Sequence, residues 1–460
     1  MDLPNIVLVV FDTARRDRFG CYGYQRLTTP TVDSLASEGL VLDTMITNGP
    51  WTLPSHGSLF TGLYPAQHGS QWRSGLSVRD SVPLTVAEFL GGLGYDTWCV
   101  TNNVLITEAT RLTRGFGHTI PRRDIESKGK RILRHAKRVA VGGDSGGGVV
   151  NAWIRHALPP PGRPLFLFVN YAEPHWPWAP PNALVRRTGG LDRPGWSGLR
   201  YRVAALTGRG AWDVVPSAGP DRLRVLSALY DGEMANVDRH LDVLLGALRD
   251  RGHLRHPTLV MVTSDHGEHL GEHGLADHFA ALDDVLIRVP FIAWGPGIIQ
   301  PSRVRGTFEF VDVLPALARL LGQAVPDHLS GRRDGLFEGR PDERDVAFAE
   351  WRSWTPEGLA NLSRRNPHFR FDGINRDLVC ARDGRFKLVR TGDGSETLFD
   401  LLEDPSESRD VRDAFPSEAT RLGAELDGEI RSWKAWEATT DVSERERQDI
   451  EHRLAELGYI

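Results

Sequence analysis

The chain has 460 residues, of which 40% are hydrophobic and 25% charged, a composition typical of soluble globular proteins. Its formal net charge of −5 gives no broad basic surface, so we expect no nucleic-acid partner. No signal peptide and no apolar run of membrane-spanning length is visible in the sequence, which predicts a cytoplasmic protein without a membrane span. Three widely spaced cysteines indicate neither a disulfide framework nor a zinc cluster.

The chain begins with a predicted strand. Residues 6–10 form a short, β-branched apolar run, which is typical of a strand buried on both faces of a parallel sheet. This run ends at Phe11 and Asp12. We therefore expect the Asp12 carboxylate at the carboxyl end of a strand, where α/β sheets bind ligands. The spacing of apolar residues predicts a helix over residues 30–39.

The next predicted helix lies in the sequence WTLPSHGSLFTG, residues 51–62. Pro54 fits the first turn of a helix, and Leu59 and Phe60 supply its buried face. Thr52 is therefore expected at the helix N-terminus, where free N–H groups and the helix dipole favour negative charge. Its hydroxyl is either an ordinary helix cap or a nucleophile placed to attack an anionic ester.

Alternating strands and helices continue through the first two thirds of the chain. Helices are predicted over residues 83–93 and 227–251, and buried strands over residues 96–100, 164–171, 258–263 and 290–294. This alternation predicts an α/β domain with a large, mostly parallel sheet flanked by helices. Asp265 and His266 follow one of these strands, as Asp12 follows the first. The irregular stretches 122–148 and 188–221 are either flaps over a pocket or surface insertions.

The remaining sequence predicts a smaller C-terminal unit. After a helix over residues 310–322, the polar stretch 326–345 suggests a boundary, so we divide the chain into a catalytic domain, 1–335, and an α+β subdomain, 336–460. The predicted elements of the subdomain are short strands of an antiparallel sheet and two helices, over residues 345–350, 379–388, 397–400, 416–435 and 443–457.

Two segments resemble signature motifs of the sulfatase family in the alkaline-phosphatase superfamily. The first keeps the proline, serine, threonine and glycine of the family pattern at Pro54, Ser55, Thr61 and Gly62. The second is TSDHGE followed by LGEHGL, within residues 263–275. In the family the nucleophile position holds a Cys or Ser that is oxidised to formylglycine. Here that position holds Thr52, whose oxidation would give a ketone, so we expect no formylglycine.

The resemblance implies one divalent metal ion. Its ligands would be Asp12, Asp265 and His266, with the Thr52 oxygen as the fourth. Carboxylates hold a hard cation, which would lower the pKa of the hydroxyl and neutralise an anionic substrate. Because one ligand is an imidazole, Mn²⁺ or Zn²⁺ is favoured, with Ca²⁺ next because sulfatases typically use it.

The same resemblance assigns roles around the metal. His56 stands where the family has arginine and, like Arg15, is a candidate for substrate binding. His175, in EPHWPW, and His278 match active-site positions and are candidates for protonating the leaving group, although each can also be merely structural. A second metal held by Glu173 and these two histidines is a further alternative.

One departure from the family bears on the substrate. Sulfatases commonly continue from the motif matching GYDT, residues 94–97, into a lysine and a histidine that hold the sulfate group. Asn102 and Asn103 stand near that position and are candidate substrate-binding residues without charge. Part of the usual sulfate-binding set is therefore missing.

These features predict a metal-dependent hydrolase of small anionic esters. A threonyl ester must be cleaved by a second in-line attack, which favours phosphate or phosphonate esters, with diesters as one option, over sulfate esters. The alternatives are a transferase with the same covalent intermediate, a true sulfate-ester sulfatase, and a degenerate binding protein. A homo-oligomer is compatible with the sequence, which does not identify the leaving group.

Overall fold

The computed structural model describes residues 3–72, 75–120, 142–189, 211–331, 335–338 and 346–434, together with Ile450 and Leu454. Apart from these last two residues, the helix predicted over residues 443–457 lies outside the described residues. So does much of the predicted irregular stretches 122–148 and 188–221.

The described strands form three sheets. In chain order they are β1 (Asn5–Phe11), β2 (Leu40–Ile46), β3 (Asp96–Thr101), β4 (His118–Ile120), β5 (Leu165–Tyr171), β6 (Thr258–Ser264), β7 (His269–Leu270), β8 (Ala276–Asp277), β9 (Arg288–Val289), β10 (Phe291–Trp294), β11 (Ser302–Glu309), β12 (Ala347–Trp351), β13 (Leu378–Arg382), β14 (Phe386–Thr391) and β15 (Glu396–Asp400). The large sheet has the order β11-β2-β10-β6-β1-β5-β3-β4, with β9 paired to β2. Strands β12 to β15 form an antiparallel sheet, and β7 pairs with β8.

Helices flank the large sheet, and one packs on the small sheet. The described α-helices are α1 (Pro30–Ser37), α2 (Thr52–Thr61), α3 (Pro65–His68), α4 (Val86–Gly92), α5 (Gly147–Ala157), α6 (Asn182–Arg187), α7 (Ala211–Val214), α8 (Pro220–Asp250), α9 (Asp284–Ile287), α10 (Val313–Leu320), α11 (Pro356–Arg365) and α12 (Pro416–Lys434). Short 3₁₀ turns lie at Arg16–Arg18, Gly20–Tyr22, His253–Arg255, Glu272–Gly274 and Phe310–Asp312.

The central strands carry the predicted topology. Strand β1 runs parallel to both β5 and β6, and all residues of the three strands are buried. Phe11 at the end of β1 pairs with Tyr171 of β5 and with Ser264 of β6. This register brings the residues that follow β1 and β6 to one edge of the sheet. The predicted α/β sheet, mostly parallel and flanked by helices, is confirmed, with β10 antiparallel to both β2 and β6.

The small sheet corrects one predicted element. The single strand predicted over residues 379–388 is wrong, because β13 and β14 form a hairpin there. Asp383 Oδ1 accepts the N–H groups of Arg385 and Phe386, at 2.8 and 2.6 Å, and so closes the turn. An aspartate that binds backbone N–H groups in this way stabilises a chain reversal. The division between residues 335 and 336 stays a prediction.

Candidate active site

The loops after β1 and β6 are joined by hydrogen bonds. Ser264 Oγ donates to the Phe11 carbonyl at 2.6 Å and accepts the N–H of Ala14 at 2.8 Å. The N–H of Thr13 donates to Asp265 Oδ1 at 3.1 Å. Thr13 has a φ of 61°, a left-handed conformation that non-glycine residues rarely adopt outside functional or tightly constrained sites. These contacts fix Asp12 and Asp265 side by side.

Thr52 begins helix α2, as the sequence predicts, and Trp51 occupies the N-cap position. The helix is anchored to the sheet because Ser55 Oγ donates a 2.6 Å hydrogen bond to the Asp265 carbonyl. Thr52 is completely buried. Its hydroxyl therefore lies at a helix N-terminus beside the strand that supplies Asp265.

Asn103 connects Thr52 to the first carboxylate. Its Nδ2 lies 2.6 Å from Asp12 Oδ2 and 3.4 Å from Thr52 Oγ1. The neighbouring Asn102 points to different partners, since its Oδ1 accepts the Ala172 N–H at 2.7 Å and its Nδ2 lies 3.4 Å from Glu173 Oε2. The two asparagines thus have separate surroundings, and their substrate-binding role stays a prediction.

Asp12, Asp265 and His266 form a group that fits a metal ion. One ligand atom from each lies within 4.8 Å of the others. His266 Nε2 is 3.9 Å from Asp12 Oδ1 and 3.3 Å from Asp265 Oδ2. None of these three buried atoms has a hydrogen-bond partner among the described residues.

The tautomer of His266 supports the same conclusion. Its Nδ1 lies 2.9 Å from the Gly267 carbonyl, which can only accept, so Nδ1 carries a proton. In a neutral ring Nε2 then has a lone pair that faces two carboxylates. A histidine bound through its other nitrogen to a carbonyl is the usual arrangement of a metal ligand. The donor set of two carboxylates and one imidazole therefore fits a divalent cation, whose identity this set leaves open.

The two carboxylates differ electrostatically. Burial raises the pKa of Asp12, and the adjacent Asp265 raises it further. Burial also opposes ionisation of Asp265, but His266, His56 and the N–H group of Thr13 together hold its pKa below the usual range. A bound cation would stabilise the ionised form of Asp12, the carboxyl group that burial makes difficult to ionise.

His56 and Arg15 have different partners. His56 is fully buried, and its Nδ1 lies 2.9 Å from the Thr52 carbonyl and 3.7 Å from Asp265 Oδ2. Burial lowers the pKa of His56. Arg15 is ion-paired with Asp17 at 2.8 Å and with Glu272 at 2.6 Å. The substrate-binding roles of His56 and Arg15 stay predictions.

His175 and His278 lie together beside the metal group. Their ring centroids are 5.2 Å apart, and the ring of His278 is 4.2 Å from that of His266. Glu173 faces elsewhere, because its Oε1 accepts N–H groups of Ser145 and Gly147 at 2.8 and 3.1 Å. The structure therefore brings the two predicted catalytic histidines together but gives Glu173 other partners.

Two further carboxylates, to which the sequence alone gave no role, adjoin the same histidines. Glu268, Asp277 and His278 offer ligand atoms within 4.8 Å of one another. Glu268 is completely buried, and burial raises its pKa well above the usual range, with Asp277 adding to the effect. The available sequence signal was their position: Glu268 follows the Asp-His-Gly of the second motif, and Asp277 precedes His278.

The chain matches known proteins over most of its length. A family model described as Sulfatase matches residues 4–323. The chain is 24% identical over 455 residues to an arylsulfatase of Clostridium perfringens, a match that covers 88% of this chain and 89% of that protein.

Solved structures of phosphonate monoester hydrolases share the fold. The one from Silicibacter pomeroyi superposes with a TM-score of 0.73 at 21% identity and covers 93% of this chain and 96% of that chain. The one from Agrobacterium radiobacter gives 0.70 at 22% identity, with 96% and 99% covered. None of the helices in the described part of this chain is long and apolar enough to cross a membrane.

Proposed function

The chain belongs to the sulfatase family and is an ester-bond hydrolase, and from that premise we propose that it hydrolyses phosphate or phosphonate esters by attack of Thr52. The observation that carries the proposal is the contact of one amide nitrogen, Asn103 Nδ2, with both the Thr52 hydroxyl and Asp12. This contact supports the proposal because Asp12 is one of the residues that would hold the metal. A hydroxyl in that position is suited to nucleophilic attack on an anionic ester.

The residues that would hold the metal are Asp12, Asp265 and His266, with Thr52 beside them. A divalent ion bound there would supply positive charge that offsets the anionic substrate and lowers the pKa of a nearby hydroxyl. The N-terminus of α2 adds partial positive charge at Thr52. Both effects favour the alkoxide form of the nucleophile.

The chemistry of the threonyl ester favours phosphorus over sulfur. Attack by Thr52 Oγ1 breaks the bond between phosphorus and the leaving-group oxygen, and His175 or His278 delivers a proton to that oxygen. Water then attacks the same phosphorus, gives a proton to the histidine that protonated the leaving group, and releases the Thr52 alkoxide. Formylglycine can expel sulfate by collapse of a hemiacetal, whereas a plain threonine has no such route.

Uncharged side chains support the preference for phosphorus esters over sulfate esters. Asn102 and Asn103 are neutral and occupy the region where the sequence resemblance predicts a lysine and a histidine in sulfatases. Without those cations the site lacks part of the set that binds sulfate.

The test is a comparison of substrates with metal-reconstituted protein. Release of nitrophenol is measured from a nitrophenyl sulfate, a phosphate monoester and a phosphate diester, with Thr52→Ala and Thr52→Ser as variants. We expect faster turnover of a phosphate ester, lost in Thr52→Ala by on the order of 10⁴-fold and partly kept in Thr52→Ser. Faster sulfate turnover, or full activity in Thr52→Ala, would refute the proposal.

A further inference from the structure

Four carboxylates lie at the candidate active site, and one divalent ion neutralises the negative charge of only two of them. Asp12 and Asp265 belong to the metal group already described, whereas Glu268 and Asp277 lie beside His278. Asp12, Asp265 and Glu268 are at most 1% exposed. Buried carboxylates are stable only when they are paired with positive charge or with hydrogen-bond donors.

Glu268 is the carboxylate with the least compensation. Neither of its two carboxylate oxygens accepts a hydrogen bond from the described residues, and the side chain is completely buried. Arg15 binds other groups, because its Nη1 donates to the backbone carbonyl of Glu268 at 3.1 Å and ion-pairs with Glu272. The Glu268 carboxylate therefore has two acceptor oxygens turned into the interior.

His278 and Asp277 face those oxygens. His278 Nδ1 lies 2.7 Å from Asp277 Oδ1 and 3.6 Å from Glu268 Oε1. Asp277 has a φ of 65°, and Ala280 of the same loop has a φ of 63°. Backbone held in the left-handed region at residues other than glycine is characteristic of sites where side chains must be aimed precisely enough to offset the strain.

The loop that carries Glu268 is also held tightly. Gly267 donates its N–H to the Leu286 carbonyl at 2.7 Å. A Cβ at Gly267 would lie 1.8 Å from the carbonyl oxygen of Val285, so only glycine fits. His266 and Glu268 flank this glycine and are therefore fixed relative to each other and to the segment that follows His278.

We propose that Glu268, Asp277 and His278 bind a second divalent cation next to the first. Two carboxylates and one imidazole repeat the donor types of the first site, which suits Mn²⁺ or Zn²⁺. The ring of His278 lies 4.2 Å from the ring of the first-site ligand His266, so the two ions would share one substrate cavity. Paired ions stabilise both the attacking and the leaving oxygen of an in-line displacement.

The role of the second metal ion in the reaction rests on the proposed function. The binding of that ion by Glu268, Asp277 and His278 does not. With His278 as a ligand, His175 is the group that protonates the leaving oxygen. Its Nδ1 lies 2.6 Å from the Trp176 carbonyl and so carries a proton that is donated there. To act as the acid, His175 must carry a second proton on Nε2, and this proton passes to the leaving oxygen while Nδ1 keeps its own.

The experiment counts ions. The full chain is stripped of metal and equilibrated with Mn²⁺, excess ion is removed, and bound manganese per chain is measured by mass spectrometry of the elements. We expect two ions in the wild type and one in Glu268→Gln. Glu272→Gln is the matched control in the same loop, since its carboxylate pairs with Arg15, and it should keep two ions.

Paramagnetic resonance of the Mn²⁺-loaded protein provides a second readout. Two neighbouring ions give a spin-coupled spectrum, which Glu268→Gln should convert to that of an isolated ion. Asp277→Asn serves if Glu268→Gln fails to fold, because asparagine tolerates the left-handed conformation at this position. One ion in both wild type and Glu268→Gln, with Thr52-dependent turnover intact, would overturn the second site and leave the proposed function standing.

Discussion

Asn103 Nδ2 donates a 2.6 Å hydrogen bond to Oδ2 of Asp12, which leaves the other oxygen of that carboxylate turned toward His266. The same nitrogen lies 3.4 Å from Thr52 Oγ1. One neutral amide thus orients both the carboxylate and the nucleophile that we propose. This contact keeps the Asp12 carboxylate and the Thr52 hydroxyl next to each other.

The first prediction concerns this amide. Asn103→Ala should lower metal affinity and kcat/KM by about 10- to 100-fold each, because Asp12 loses the partner that orients it. Asn102→Ala is the control, since Asn102 contacts Ala172 and Glu173 instead, and it should leave metal affinity unchanged. Equal losses of metal affinity in both variants, measured by titration, would contradict the positioning role of Asn103.

The second prediction concerns the first metal site. Adding Mn²⁺ at 100 times its dissociation constant should stabilise the folded chain by about 2.7 kcal/mol, because the ion binds the native site. His266→Ala should lose this first-site contribution, which is measured as a smaller Mn²⁺-induced shift of the thermal midpoint than in the wild type. His256→Ala, on an exposed histidine remote from the group, should retain it. If His266→Ala shows the same shift as wild type, the ion binds elsewhere.

The sequence predicts the backbone of this site better than its inner contacts. Strands β1 and β6 are fully buried and rich in β-branched residues, and their parallel register then places Asp12 and Asp265 together. Strand β11 was missed because its first half, with Ser302, Arg303 and Arg305 exposed, has the polar pattern of a sheet edge. A local pattern cannot distinguish such a strand from a loop.

Other features of the site were not predicted because they depend on contacts between residues that are distant in the sequence. Asn103 and Asp12 are 91 positions apart, and their hydrogen bond follows only from the arrangement of β1 and β3 across β5. Similarly, Glu173 belongs with His175 by sequence, but the fold of the glycine-rich segment brings the N–H groups of Ser145 and Gly147 to its carboxylate. The sequence indicates which residues are chemically suited to a site, but it does not indicate which distant residues they contact.

The third prediction is a pH effect on stability away from the active site. Asp238 in α8 accepts the N–H groups of Thr31 and Val32 at the start of α1, yet burial raises its pKa from 3.8 to about 6. Because this folded-state pKa lies above the unfolded value, its contribution to stability is fully present below pH 4. It is then lost as the pH rises through 6.

Asp238→Asn removes this titration. Relative to wild type, the variant should gain roughly 2–3 kcal/mol of unfolding free energy between pH 4 and pH 8, measured by denaturant unfolding at each pH. Asp242→Asn, on the exposed face of the same helix, should show no such trend. A difference between Asp238→Asn and wild type that stays constant with pH would show that the carboxyl group does not titrate in this range.

The fourth prediction tests the buried charges that join the small sheet to the active-site loop. Lys387 of β14 is completely buried, contacts Glu407, donates a 2.7 Å hydrogen bond to the Leu282 carbonyl and lies 3.4 Å from Asp284 Oδ1. Leu282 and Asp284 belong to the segment that follows His278. The lysine thus ties the position of that segment to the C-terminal sheet.

Lys387→Met should destabilise the fold by about 3–5 kcal/mol, because it leaves buried carboxylate charge without its cation. The loss should be partly reversed in Lys387→Met/Glu407→Leu, where the second substitution removes the stranded carboxylate, while Asp284 keeps its ion pair with Arg382 at 3.0 Å. Denaturant unfolding of the two single variants and the double variant gives the coupling energy directly. Additive losses would mean that Lys387 acts through packing alone, and the link between the small sheet and the His278 segment would then not depend on charge.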